Sequence, residues 1–172
     1  DEATGYHSGA ILTMTRSLPD LCDDHADLVQ VAEPLFHDYG ARRAFSGPIT
    51  TLKCHEDNAL VRSTFETPGE GRVLVIDGGG SLRRALVGDK IGSLMIANGW
   101  AGVVVWGAVR DVEVLAGMPV AVRALGVCPV PPVKKGLGER DVPVKFAGIT
   151  FVPGAWLYAD ENGLLVSPRA LS

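Results

Sequence analysis

Apolar positions along the chain fall into two spacings. Arg72-Val-Leu-Val-Ile-Asp77 and Ala101-Gly-Val-Val-Val-Trp-Gly-Ala-Val109 are near-continuous apolar runs bounded by turn residues, the pattern of strands buried on both faces. Pro48-Ile-Thr-Thr-Leu-Lys-Cys54 is rich in β-branched residues and predicts another strand. Between these runs the spacing is helical. Ile91, Leu94, Met95 and Ala97 share one face of a helix over 89–98, which Asn98-Gly99 ends. Asp57-Asn58 can cap a helix through Ala59, Leu60, Val61 and Phe65, stopped by Pro68-Gly69. Ser17, two residues before Pro19, opens a first helix into Leu21 and Cys22. Residues 82–87 read as a strand or a short helical piece, and 112–115 as a short helix capped by Asp111. Beyond that point strands are predicted at 120–124, 142–146, 149–152 and 164–166. A Pro/Gly/Lys-rich loop occupies 129–138, and Asp160-Glu-Asn-Gly163 makes a hairpin turn. Helices alternate with strands in the middle and the last third is mostly β, so the expectation is one layered, mixed α/β domain over 14–172.

Composition narrows the function classes. With 172 residues, 47% hydrophobic and 21% charged, the chain can bury a core and is not of disordered composition. Sixteen basic against 20 acidic side chains give a net charge of −4, which argues against a protein that binds nucleic acid directly by neutralising phosphates. A regulator that meets RNA only through a protein partner stays compatible with it. Cys22, Cys54 and Cys128 stand at neither zinc nor disulfide-framework spacing and read as thiols in a reducing cytosol. No apolar run reaches the roughly 18–20 residues that cross a bilayer, so no membrane partner is expected. Residues 1–13 lack a basic stretch ahead of Ile11-Leu12. They read as an appended or disordered extension rather than a signal peptide.

Three stretches can carry chemistry. Asp77-Gly-Gly-Gly-Ser81 follows a buried strand and is either a tight turn or an anion-binding loop; it matches neither phosphate-loop nor GxGxxG spacing. Gly88-Asp-Lys-Ile91 opens a helix, whose free N–H groups attract carboxylates, although Asp89 there can equally be an ordinary cap. Arg110-Asp111 ends the Val-rich strand, where open α/β sheets bind ligands, although a structural ion pair plus helix cap gives the same dipeptide. Arginine offers a planar fork to a carboxylate, and aspartate a hard oxygen to Mg2+ or Mn2+. Converged on one site, the three suit chemistry on a 2-oxo acid through an enolate. His25, His37 and His55 lack ligand spacing, Lys134-Lys135 reads as solvated loop, and Trp100, Trp106 and Trp156 as core or interface packing.

At these residues the sequence resembles the RraA-like family, which includes the regulators of ribonuclease activity A and the class II 4-hydroxy-4-methyl-2-oxoglutarate aldolases. The resemblance runs from Leu18 to Pro168 through Asp20-Leu-Cys22, Val31-Ala-Glu-Pro-Leu-Phe36, Phe45-Ser-Gly47, Cys54-His-Glu-Asp-Asn58, residues 73–86, Gly107-Ala-Val-Arg-Asp111, Gly138-Glu139, Gly148-Ile-Thr-Phe151 and Tyr158-Ala-Asp160. It implies a swivelling-domain-like β/β/α sandwich assembling as a ring-shaped homotrimer, with sites at subunit boundaries. The aldolase pattern is an aspartate, twenty residues, then Arg-Asp; here Asp89, residues 90–109 and Arg110-Asp111 fulfil it. By that match Asp111 binds a divalent metal, Mg2+ or Mn2+. Arg110 holds the substrate carboxylate and developing enolate, Asp89 orients a catalytic water, and the backbone of Gly88, Asp89, Lys90 and Ile91 contacts the pyruvyl end.

The implied reactions are cleavage of 4-hydroxy-4-methyl-2-oxoglutarate to pyruvate and decarboxylation of oxaloacetate, in the cytoplasm. Two departures stand out. The sequence ends at Ser172, without the acidic residue that longer aldolases lend to a neighbouring subunit, and Pro153-Gly-Ala155 lacks the acid of a Pro-Gly-Asp turn. The short length, residues 77–86 and the 54–58 stretch all resemble the regulator branch, whose members bind an RNase E-type endoribonuclease. A menaquinone methyltransferase, a label some relatives carry, is disfavoured by the lack of a GxGxxG cofactor loop.

Overall fold

A ten-stranded mixed sheet curls through the computed structural model, which describes residues 16–172. The expected extension at 1–13 lies outside the described residues. The chain enters through α1 (Leu18–Asp24), whose cap is the Ser17 hydroxyl accepting the Asp20 N–H at 3.3 Å. It continues through the two-residue strands β1 (Gln30–Val31) and β2 (His37–Asp38) to β3 (Phe45–Lys53) and α2 (Ala59–Phe65). Next come β4 (Val73–Asp77), β5 (Ala85–Val87), α3 (Asp89–Ala97), β6 (Gly102–Val109), α4 (Val112–Leu115) and β7 (Val122–Val127). The β-rich end comprises β8 (Glu139–Arg140), β9 (Val144–Phe146), β10 (Ile149–Phe151), β11 (Trp156–Asp160) and β12 (Gly163–Ser167).

The sheet runs β1-β12-β11-β3-β4-β6-β7-β2, with β5 added to β6 and β8 to β3, while β9 and β10 form a separate hairpin. β3, β4, β6 and β7 pair in parallel through crossovers that carry helices. Alternation along these strands builds two cores. Leu74, Ile76, Val103 and Val105 face α2 and α3, meeting Phe65, Met95 and Trp100. Val73, Val75 and Val104 face the opposite way, against Phe146 and Phe151 of the hairpin and Leu157 and Leu164 of the curled edge. The result is a helical layer, a parallel sheet and a second β layer, which explains why residues 73–76 and 101–109 are apolar on every position.

Most expected elements are present, with shifts at their ends. Residues 82–87 resolve as a strand over 85–87 only. The strand expected at 120–124 starts at Val122 and runs on to Val127, because the Val120 N–H turns back to the Met118 carbonyl. Trp100 is core, whereas Trp106 and Trp156 are half-buried. Strand β11 was not expected from the pattern; it pairs with both β3 and β12, and Asp160 faces Gly163 at the expected hairpin turn.

Candidate active site

The carboxyl ends of β5 and β6 lie side by side. Past the last paired residues, the Arg110 N–H donates to the Val87 carbonyl at 2.9 Å, so Gly88 and Arg110-Asp111 leave the sheet next to each other. Asp111 then takes a left-handed backbone conformation, φ 58° and ψ 38°, tolerated by aspartate better than by most residues and costing of order 1 kcal/mol. That conformation turns its carboxylate away from α4. Asp111 is the N-cap of α4, as expected, but only through its backbone: its carbonyl accepts the Val114 and Leu115 N–H groups, while its carboxylate makes no bond to α4 and its Oδ2 instead accepts the Asp89 N–H of α3 at 3.1 Å.

Gly88 permits this approach. A Cβ there would stand 2.6 Å from Asp111 Oδ2 and 3.3 Å from Arg110 Cγ. Gly88, not Asp89, is the N-cap of α3, and the Asp89 carboxylate does not cap its own helix. With Asp89 N–H on Asp111 and Gly92 N–H on Gly88, the N–H groups of Lys90 and Ile91 have no acceptor within the helix. All six residues expected at the site, Gly88, Asp89, Lys90, Ile91, Arg110 and Asp111, line one hollow of about 90 Å³.

The glycine stretch does not join them. Gly78 and Gly80 both donate to the Trp106 carbonyl at 3.1 Å, and Gly79 donates to Asp77 Oδ1 at 2.9 Å. Gly79 and Gly80 adopt φ 69° and 74°, so this is the tight turn, its donors already engaged, and the expected three-way convergence reduces to two stretches.

Sequence reasoning missed part of the wall: Asn58, Arg62, Pro132 and Lys134 also line the hollow. Asn58 Nδ2 donates to the Leu86 carbonyl at 3.1 Å, holding β5 from the helical side. Its neighbour Asp57 does cap α2, accepting the Ala59 N–H at 3.0 Å, but it also receives the N–H groups of Lys135, Gly136 and Leu137. Burial works to raise the Asp57 carboxyl, and these four donors together outweigh it and hold it below the usual aspartate range. Tertiary pairing alone reveals this, since nothing local in Cys54-His-Glu-Asp-Asn58 distinguishes a cap from a clamp.

The donors suit a hard cation. Asp111 and Asp89 put two carboxylates on one hollow, and Mg2+ or Mn2+ needs only one or two protein carboxylates because it keeps several waters. Among the described residues no third His, Cys, Asp or Glu joins them, so substrate and water would complete such a shell. Arg110 leaves most of its fork free: among the described residues its side chain makes one long contact, 3.4 Å, from Nη1 to the Pro129 carbonyl.

An anion fork, two carboxylates and helix N–H groups without an intrahelical acceptor thus gather at the strand ends of an α/β domain, the place where such sheets bind ligands. Residues 18–166 match the family model described as RraA-like, Aldolase/RraA, and the chain belongs to that family. It is 58% identical over 159 residues, 92% of this chain and 95% of the other, to a Xanthomonas campestris pv. campestris (strain 8004) protein provisionally named as a 4-hydroxy-4-methyl-2-oxoglutarate aldolase. Among solved structures it is similar to the RNA-processing inhibitor RraA from Thermus thermophilis, with 45% identity, TM-score 0.89 and coverage of 92% of this chain and 96% of that one. It is also similar to a Geobacillus kaustophilus HTA426 protein titled S-adenosylmethionine:2-dimethylmenaquinone methyltransferase, with 45% identity, TM-score 0.87 and coverage of 91% and 97%. The closed glycine turn after β4 lends that third name no support here.

Proposed function

We propose that this protein is a divalent-metal-dependent lyase that cleaves 4-hydroxy-4-methyl-2-oxoglutarate to pyruvate and decarboxylates oxaloacetate through the same pyruvate enolate. The observation that carries the reading is the meeting of Arg110, Asp111 and the free α3 N–H groups in one hollow. Asp111 would hold Mg2+ or Mn2+, whose chemistry when bound is to polarise the 2-oxo group, and Asp89 lines the same hollow.

The chain's own residues do the rest. The Arg110 fork pairs with the 1-carboxylate and faces the oxygen that becomes negative as the C–C bond breaks. The Lys90 and Ile91 N–H groups, at the positive end of α3, bind the same pyruvyl end and fix its orientation. Asp89 orients a water that takes the 4-hydroxyl proton as that bond breaks and returns a proton to the enolate carbon. Assembly as a homotrimer with this hollow at a subunit boundary belongs to the same reading. So does a cytoplasmic setting, which the free thiols of Cys22, Cys54 and Cys128 suit. Among the described residues no helix is long and apolar enough to cross a membrane.

The test is oxaloacetate decarboxylation with Mg2+ or Mn2+, with and without a chelator. Activity that the chelator abolishes and Asp111→Ala removes supports the reading; chelator-resistant turnover unchanged in Asp111→Ala refutes the metal assignment. A second reading, regulation of an RNase E-type endoribonuclease, is supported by the 45% identity to a protein titled an RNA-processing inhibitor and by the net charge of −4. Slowed RNA cleavage by such an enzyme in the presence of this protein supports it, and no inhibition together with no co-purification refutes it.

A further inference from the structure

The wall of the hollow that α3 and β6 do not supply comes from the 129–138 loop, through Pro132 and Lys134. Neither hydrophobic core contains a residue of this loop. Polar bonds hold it instead: its start is tied to Arg84, Ala85 and Arg110, and residues 133–137 to one short segment. Asp57 Oδ2 accepts the N–H groups of Lys135 and Leu137 at 3.0 and 3.1 Å, and Oδ1 that of Gly136 at 3.3 Å. On either side of Asp57, the Val133 N–H donates to the Glu56 carbonyl at 2.8 Å and the Asn58 N–H to the Val133 carbonyl at 3.0 Å.

Asp57 is 2% exposed, and a carboxylate buried that deeply is tolerated only when its acceptors are filled. Here three of its four donors come from the loop, so the carboxylate's work is to hold the residues that flank Lys134. Lys134 itself is exposed, and no ion pair holds it among the described residues. Arg62, the other cation on that wall, is paired with Glu66 at 3.4 Å. Lys90 shares the α3 end already assigned to the pyruvyl group. The hollow therefore carries an unengaged ammonium on a clamped loop, apart from the Arg110 fork.

We propose that Lys134 receives the second carboxylate of a dicarboxylic 2-oxo acid, the one that leaves with the aldol fragment, and that Asp57 is the positioning residue that fixes the loop for it. The assignment rests on the lyase reading and names the substrate class of that site. Cleavage uses both carboxylates, whereas exchange of pyruvate methyl protons for deuterium uses only the pyruvyl end, so comparing the two reactions isolates Lys134.

Both are measured with Mg2+ present, by pyruvate release and by NMR. Lys134→Met lowers kcat/KM for cleavage of 4-hydroxy-4-methyl-2-oxoglutarate about tenfold more than it lowers exchange, chiefly through KM, the size of one bond to a charged group. Lys134→Arg recovers most of that loss. Asp57→Asn shows the same split, and the double variant is no worse than Lys134→Met alone, since both changes act through one ammonium. Equal losses in the two reactions, or no loss, overturn the assignment of Lys134. Losses that multiply in the double variant overturn the positioning role of Asp57, and if Asp57→Asn does not fold the Lys134 comparison still decides the substrate claim. A wild-type protein that catalyses neither reaction overturns the lyase reading beneath, an outcome distinct from a failed split.

Discussion

Gly88→Ala separates what the site needs from what the fold needs. The glycine sits at φ −139° and ψ −163°, extended backbone that alanine adopts without strain. The added Cβ would nevertheless stand 2.6 Å from Asp111 Oδ2, about 0.7 Å inside an ordinary carbon–oxygen contact of roughly 3.3 Å. The clashing atom is the tip of a side chain, so rotation of the carboxylate relieves it. That rotation breaks the 3.1 Å bond to the Asp89 N–H, worth about 1.5–3 kcal/mol with a charged acceptor. The lower chain entropy of alanine in the unfolded state offsets about 0.4–1 kcal/mol. Net destabilisation is then at most about 2–3 kcal/mol, and the protein still folds.

Function loses more. A displacement approaching 1 Å at a reacting group costs about 100-fold, so kcat/KM for oxaloacetate falls by about that factor and the metal concentration for half-activity rises. The assay is decarboxylation against a Mn2+ titration, beside thermal unfolding. Gly117→Ala is the control, since its Cβ would meet only the Val114 carbonyl at 3.7 Å. Wild-type kcat/KM and metal response in Gly88→Ala would refute the placement of Asp111 against α3 as the basis of the site.

Acid should loosen the protein through Asp57. Its folded pKa is held below the unfolded value, so its contribution is present above about pH 3.9 and is lost as pH falls through the folded pKa; in urea unfolding, Asp57→Asn should be less stable at neutral pH and show a shallower acid limb. The Cys54 thiol is pushed up to about 12 by burial and by the neighbouring Asp57 and Asp77 carboxylates; iodoacetamide at pH 8 should leave it unmodified until denaturant is added, and labelling in the native state would contradict its burial. Phe65, fully buried and edge-on to Trp100 at 5.1 Å, ties α2 to the helical core; Phe65→Ala should cost about 3–5 kcal/mol, and a loss under about 1 kcal/mol would refute that packing.

Much of this molecule was legible in its residue order because burial writes a local signature. A strand covered on both faces must be apolar at every position, which exposed β4 and β6, and a helix on one face of a sheet must repeat every three to four residues, which exposed α3. The six residues expected at the site are all close to the ends of those strongly patterned elements, and they do share a hollow. The two-residue strands β1, β2 and β8 carry no period to read.

Residue order alone therefore fixes the layers, the main strands and the stretches that carry chemistry. Which group meets which was decided by tertiary structure. Parallel pairing of β5 with β6 brings Gly88 beside Asp111, so the carboxylate of the α4 N-cap residue meets α3 rather than its own helix. The bonds of Gly78 and Gly80 to Trp106 close a turn that the glycines alone left open, and Asp57 draws Lys134, by local pattern a solvated residue, to the wall of the site. Periodicity records how deeply a position is buried, whereas hydrogen-bond partners tens of residues apart depend on strand order and register, which no local window contains.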